Sequence, residues 1–208
     1  MERSCTTNRV DLCERYCYRH KYRMDHLQHS FSDSRLYQET TCYESGISAI
    51  AERLLEAICV AFHAECRIPI RDNSYLQFCA YADQYRREDR EYLQDRHEDG
   101  NLLTLVKASH EGLVIFPRGV PHKVDILEDE AIVFTGSLLT VLSGGRIPFM
   151  DHAVRNPPKS VSRSSLVYFV LPDLKVPYAR LTDRSPVHLE ALANQLHQGF
   201  GNRPFTDK

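Results

Sequence analysis

The chain has no excess of charge of one sign: 26 Lys and Arg stand against 28 Asp and Glu, a formal net charge of −2 over 208 residues. Without a basic field to draw in a phosphate backbone, nucleic acid is not an expected partner, and a small-molecule substrate is the default. No apolar run approaches the roughly 18 to 20 residues that span a bilayer, and the opening MERSCTTNRVDLCERYCYRH holds no stretch resembling a secretion signal. A cytoplasmic protein without membrane attachment is expected. The seven cysteines are odd in number and lack framework spacing, so reduced thiols are expected. Cys13, Cys17 and His20 could begin a zinc site, but no second half follows. Repeats and low-complexity tracts are also missing. The 42% hydrophobic and 26% charged residues are ordinary for a globular chain, and one β-sandwich or barrel absorbs this length as a single domain.

Residues 1–44 show no clean period and are expected to wrap the core more than build it. From Ile47 the apolar residues Ile50, Ala51, Leu54, Ile58 and Phe62 recur at helical spacing, which predicts an amphipathic helix at about 46–64. SYLQFCAY (74–81) reads as a strand. The segment from Asp83 to Arg96 carries both charge signs and reads as a solvated loop or a flap beside a site. Short apolar runs follow at 102–106, 112–116, 123–127, 131–134, 138–142 and 165–171, several of them separated by Gly, Pro, Asn or Asp. Many short strands at this cadence predict a mainly β sandwich or small barrel. Ser185-Pro186 reads as a helix start, with Leu189, Leu192, Ala193 and Leu196 as its stripe and Gly199 as its end. The expected organisation is a supporting region at 1–75, a mainly β core at 76–172 and an extension with a helix at 173–208.

Side chains alternate faces along a strand, so His97 and Asp99 can aim at one point. A later His152 completes two imidazoles and a carboxylate, the set that holds non-haem iron(II) on one face and leaves the other positions open. Arg163 and Ser165 share a face of the strand SRSSLVYFVL, with Val167 and Phe169 continuing it inward. An arginine opening a core-facing row needs an anionic partner, and its planar fork matches a carboxylate.

HEDGNLLTLV (97–106) resembles the first metal motif of the iron(II)/2-oxoglutarate-dependent oxygenase superfamily, in the branch that includes isopenicillin N synthase. TGSLLTVLSGGRIPFMDHAV (135–154) looks like that branch's strand, turn and strand leading to the distal histidine, and eleven positions separate His152 from Arg163, as in the family. The resemblance covers about residues 76–172. It implies a double-stranded β-helix, or jelly-roll, core with supporting helices. It also implies Fe(II) held by His97, Asp99 and His152, with 2-oxoglutarate and O2 as co-substrates. Arg163 and Ser165 would hold the distal 2-oxoglutarate carboxylate, with Tyr81 beside it. The implied activity is a dioxygenase releasing succinate and carbon dioxide, most often by hydroxylation. Departures are Cys79, Ser137 and Ala153 where the family commonly has other residues, and a shortened N-terminal region that lacks the family's first strand. Three other readings stay open on residues alone: an iron oxidase that does not use 2-oxoglutarate, a non-catalytic metal-binding jelly-roll module, and a zinc hydrolase. The last lacks a general base, since Glu98 alternates away from the ligands and Glu111 falls in a turn.

Overall fold

The computed structural model describes residues 5–6, 9–10, 13–23, 34–65, 67–81, 90–156 and 162–199. Two short strands, β1 (Cys5–Thr6) and β2 (Arg9–Val10), pair with each other. The core is two antiparallel sheets that face one another as a jelly-roll. The five-stranded sheet comprises β3 (Glu14–Tyr18), β4 (Tyr75–Tyr81), β6 (Leu103–Ala108), β9 (Ile132–Thr135) and β11 (Arg163–Val170), in the order β3-β4-β11-β6-β9. The four-stranded sheet comprises β5 (Tyr92–His97), β7 (Leu113–Ile115), β8 (His122–Val124) and β10 (His152–Arg155), in the order β5-β10-β7-β8. Between them, Cys79 and Tyr81 of one sheet pack on Leu93 and Val154 of the other.

The other face of the larger sheet is covered by the helix α1, Arg35–Ala61. Ser34 caps it, its hydroxyl accepting from the Tyr37 amide at 3.2 Å. Ile47, Ala51, Leu55 and Cys59, spaced by four, bury a stripe against Leu76, Leu103, Leu105, Tyr168 and Val170. Each Leu or Ile so buried contributes about 1.5–3 kcal/mol.

The helix begins well before the expected 46 because its first turns bury polar groups that no apolar period reveals. Glu44 is 1% exposed and lies 3.6 Å from both His20 Nδ1 and Arg71 Nη2. Burial raises its carboxyl pKa, and the Arg71 charge opposes that rise.

Three expectations are corrected. The run at 138–142 is not a strand but part of a helix, α2 (Ser137–Leu142). Leu138, Leu139 and Leu142 have a helical spacing and are all buried, and Gly144 and Gly145, at φ 63° and 81°, close the turn after it. Residues 14–18 build the sheet instead of wrapping it: β3 is its edge strand and pairs with β4. Its alternation is masked because Tyr18 faces the helix while Arg15 and Cys17 face the other way. Ser185-Pro186 does not start a helix. Pro186–Val187 (β13) pairs with Tyr178–Ala179 (β12), and the helix α3 runs over Glu190–Gly199.

Cys59 stands in a disulfide, so the thiols are not all reduced. A chain long enough to fold without staples does not prevent two thiols from pairing once the fold brings them together. Cys13, Cys17, Cys42 and Cys79 are free. Among the described residues no helix is long and apolar enough to cross a membrane. Of the charged segment expected as loop or flap, 83–89 lies outside the described residues, and the rest is corrected, since Tyr92–Arg96 belongs to strand β5, where it pairs with β10.

Candidate active site

The smaller sheet brings the two histidines together. His97 ends β5 and His152 opens β10, and the two are register partners, their ring centroids 4.2 Å apart. Next to them, Arg96 Nε donates to Asp151 Oδ2 at 3.0 Å, pinning the same junction from outside. Asp99 lies beyond the strand end, in the turn that follows, so it reaches the histidines by chain reversal and not by strand alternation. Ligand atoms of the three residues all fall within 4.8 Å of one another, as a metal ion would require. Asp99 Oδ1 is 3.7 Å from His97 Nε2, and Oδ2 is 3.7 Å from His152 Nε2.

Backbone carbonyls decide which ring nitrogens carry the lone pairs. His97 Nδ1 lies 2.7 Å from Asp95 O and His152 Nδ1 lies 3.3 Å from Met150 O. A carbonyl only accepts, so both Nδ1 atoms carry the proton and both Nε2 atoms present lone pairs toward Asp99. Burial pushes the His152 imidazole down to about 4, partly offset by the Asp99 charge.

With a folded value near 4 against 6.5 unfolded, the unfolded chain binds the extra proton, so metal-free protein should lose stability as pH falls from 6.5 to 4. Denaturant melts across that window should show the loss in the parent and a smaller one in His152→Gln. An equal loss in both would place the titrating group elsewhere.

The Asp99 turn is held by residues that carry no obvious motif. Thr104 Oγ1 donates to Asp99 Oδ2 at 2.5 Å and accepts from Asn101 Nδ2 at 2.8 Å. The start of α2 closes over the same turn: the Ser137 amide donates to Asp99 O at 2.9 Å and the Leu138 amide to Asn101 O at 3.0 Å. These orphan helix N–H groups thus find acceptors in the turn. Ser137 Oγ also donates to Glu98 Oε2 at 2.6 Å, which ties that carboxylate to α2.

At Gly136 any Cβ would overlap Asn101 Oδ1 and Asn101 O and come within 2.7 Å of Asp99 O. Gly136→Ala should therefore cost about 1–3 kcal/mol of stability and weaken metal retention by displacing Asp99. Denaturant titration together with iron(II) titration checks this. Parent-like values in both would mean that the turn yields without moving the carboxylate.

Deeper between the sheets, Arg163 and Ser165 are each 4% exposed. The β4–β11 register sets Tyr81 opposite Arg163 and Cys79 opposite Ser165. The guanidinium lies 5.1 Å from the Tyr81 ring centroid, and its Nε donates to Glu111 O at 3.2 Å. Its Nη1 is buried with no partner among the described residues. A fully buried, unpaired guanidinium nitrogen is costly unless an anion meets it. Tyr81, 3% exposed, donates from its hydroxyl to Gln94 Oε1 at 3.2 Å. The Gln94 amide nitrogen lies 3.2 Å from His97 Nε2, so a polar chain links the arginine end to the histidines.

All six residues expected to form the site therefore lie between or at the mouth of the two sheets. Thr104, Asn101, Gln94 and Gly136 were missed. Of these only Gly136 left a trace in the sequence, as a lone glycine ahead of an apolar run.

A jelly-roll with two imidazoles, a carboxylate and a buried arginine has the donor set that non-haem metal oxygenases use. The chain carries a domain of the 2OG-Fe(II) oxygenase superfamily, whose family model matches residues 73–172. That match and the His97–Asp99–His152 triad together support an iron(II)- and 2-oxoglutarate-using dioxygenase. Solved structures share the fold at low identity. One is full-length Neurospora crassa T7H in complex with alpha-KG and 5-formyluracil, at TM-score 0.70 and 18% identity, over 90% of this chain and 70% of that one. A second is the rice dioxygenase for auxin oxidation, at TM-score 0.72 and 16% identity, over 93% and 70%. A third is an oxygenase from Shewanella oneidensis, at TM-score 0.65 and 22% identity, over 95% and 74%. Comparison with curated proteins finds no match.

Proposed function

We propose that the protein oxidises a C–H bond of a small organic molecule, most often to an alcohol, with His97, Asp99 and His152 holding iron(II). Arg163 and Ser165 hold the distal carboxylate of 2-oxoglutarate, and Tyr81 flanks it. The observation that carries this reading is the pairing of an imidazole–carboxylate triad with a buried arginine whose Nη1 has no partner among the described residues.

The donor set fits the metal: two neutral imidazoles and one carboxylate on one face suit iron(II) and leave positions for exchangeable ligands. Iron(II) with 2-oxoglutarate and O2 supplies an oxidation in which one oxygen atom enters succinate, carbon dioxide is lost, and the second atom enters the substrate. The chain's own residues bind and orient. Thr104 and the α2 amides fix the Asp99 carboxylate, and the Asp95 and Met150 carbonyls fix the imidazole tautomers. Glu111 O holds the Arg163 fork so that the dicarboxylate enters by one end, and the Tyr81 ring walls its flank.

Iron-loaded protein should consume 2-oxoglutarate and form succinate only when O2 is present, with turnover rising on addition of the substrate. Succinate formation that persists without iron(II), or 2-oxoglutarate that binds no better than glutarate, would count against the reading.

A further inference from the structure

One cross-strand row leads away from the metal triad and ends on an arginine. In the five-stranded sheet Phe134, Thr104, Phe169 and Tyr75 are successive register partners across β9, β6, β11 and β4. Their neighbours Leu105, Tyr168 and Leu76 belong to the helix-side core. The row itself therefore points to the opposite face, where the triad lies, with Tyr75, at the start of β4, also packing on that core. Both ends of the metal site touch it. The Phe134 ring is 4.4 Å from His152, and Thr104 donates to Asp99.

Farther along, Phe169 and Tyr75 stack at 4.8 Å and 27°, and both are only partly buried. Tyr18 pairs with Leu76, so Arg19, one residue past the end of β3, falls opposite Tyr75. Its guanidinium lies over the Tyr75 ring at 4.3 Å. Arg19 is partly buried, and no carboxylate among the described residues pairs with it. The Tyr75 hydroxyl has no hydrogen-bond partner among them either. Burial and the Asp99 charge both keep it protonated, although Arg19 nearby opposes this.

The row is thus largely apolar beside the metal and ends in two donors that are unpaired among the described residues, one of them cationic. A guanidinium laid flat on an aromatic ring keeps its N–H edge free for an anion, and a phenol can add a further donor. From Thr104 to Arg19 the row crosses three strand spacings, roughly 14 Å between Cα positions. An apolar body the size of a bicyclic ring, together with the arginine's own side chain, spans that reach.

Resting on the reading above that the triad is the oxidising centre, we infer that the substrate is an organic acid with an apolar body. Its carboxylate is held by Arg19 and the Tyr75 hydroxyl, and its hydrocarbon end lies over Phe169 toward the metal. Arg19 and Tyr75 set the substrate class, while Arg163 serves the co-substrate.

The test uses 2-naphthoate and its neutral isostere 2-naphthamide as probes. Calorimetric titrations are run on the full chain loaded with iron(II) and 2-oxoglutarate under argon, and again on metal-free protein. The parent should bind the acid about tenfold to a hundredfold more tightly than the amide, as a charge-assisted contact predicts. Arg19→Gln should remove that preference, and Arg19→Lys should restore part of it. Tyr75→Phe, which loses only the hydroxyl, should weaken the acid about fivefold and leave the amide alone. Melting curves check that each variant is folded. Acid and amide binding within threefold of each other, a preference that survives Arg19→Gln, or no binding of 2-naphthoate at millimolar concentration would each overturn the inference. An acid preference that persists on metal-free protein, with no succinate formed by the loaded enzyme, would count against the proposed oxidation alone.

Discussion

Asp99→Ala is expected to abolish iron retention and 2-oxoglutarate turnover together. The residue contributes the only carboxylate of the triad, with one oxygen 3.7 Å from each imidazole. Two neutral imidazoles then remain, without the negative charge that offsets the dication in a dry site. The effect should exceed the roughly 10- to 100-fold loss of metal affinity that removal of a partner outside the coordination sphere causes. Thr104→Val supplies the comparison: it deletes the 2.5 Å hydrogen bond to Asp99 while keeping shape, and should fall within that smaller range. Metal content after gel filtration and iron(II) titration measure both variants. Full occupancy with unchanged affinity in Asp99→Ala would remove the triad assignment, and His152→Ala gives an independent check.

The second large effect is on co-substrate affinity. Arg163→Lys keeps the charge but loses both the fork and the Nε–H that Glu111 O holds in place. Loss of a charge-assisted contact of this kind costs roughly 2 to 5 kcal/mol by analogy with buried charge pairs, so the 2-oxoglutarate dissociation constant should rise about 30-fold or more. Ser165→Ala removes a single hydroxyl and should cost about 1 kcal/mol, near fivefold. Anaerobic titration of 2-oxoglutarate into iron-loaded variants reads both changes, with iron affinity measured separately. Parent-like 2-oxoglutarate binding in Arg163→Lys, accompanied by iron loss, would make Arg163 a structural partner of the metal site and move the carboxylate clamp elsewhere.

The two predictions draw on different kinds of legibility. His97, Asp99, His152, Arg163 and Ser165 were readable because metal and carboxylate chemistry allow few residue types and because their order and separation are tightly patterned. The geometric reason given for Asp99 was incomplete, since strand β5 ends at His97 and the carboxylate returns through a turn. That turn depends on Thr104, Asn101 and Gly136, which carry no chemistry of their own and become visible only when β6 and α2 close on it.

The strand LLTVL became a helix for a similar reason. Its apolar residues fit either period over so short a run, and the choice fell to the acceptors at Asp99 O and Asn101 O that await helix N–H groups. Strand β3 escaped notice because an edge strand with polar residues on its pocket face has no alternation to read.

By itself the sequence determined the mainly β class, the amphipathic helix against one sheet, the ligand types and an arginine on a core-facing row. Periodicity and side-chain chemistry are local properties, carried by each segment wherever it ends up. Only the tertiary structure decided that Arg163 is buried with a nitrogen unpaired among the described residues and that His97 and His152 meet in register. It also decided that Arg19, far along the chain from Thr104 and Phe169, lies over the Tyr75 ring at the end of their row. Those facts depend on strand register and sheet order, which are set by how all the segments pack at once.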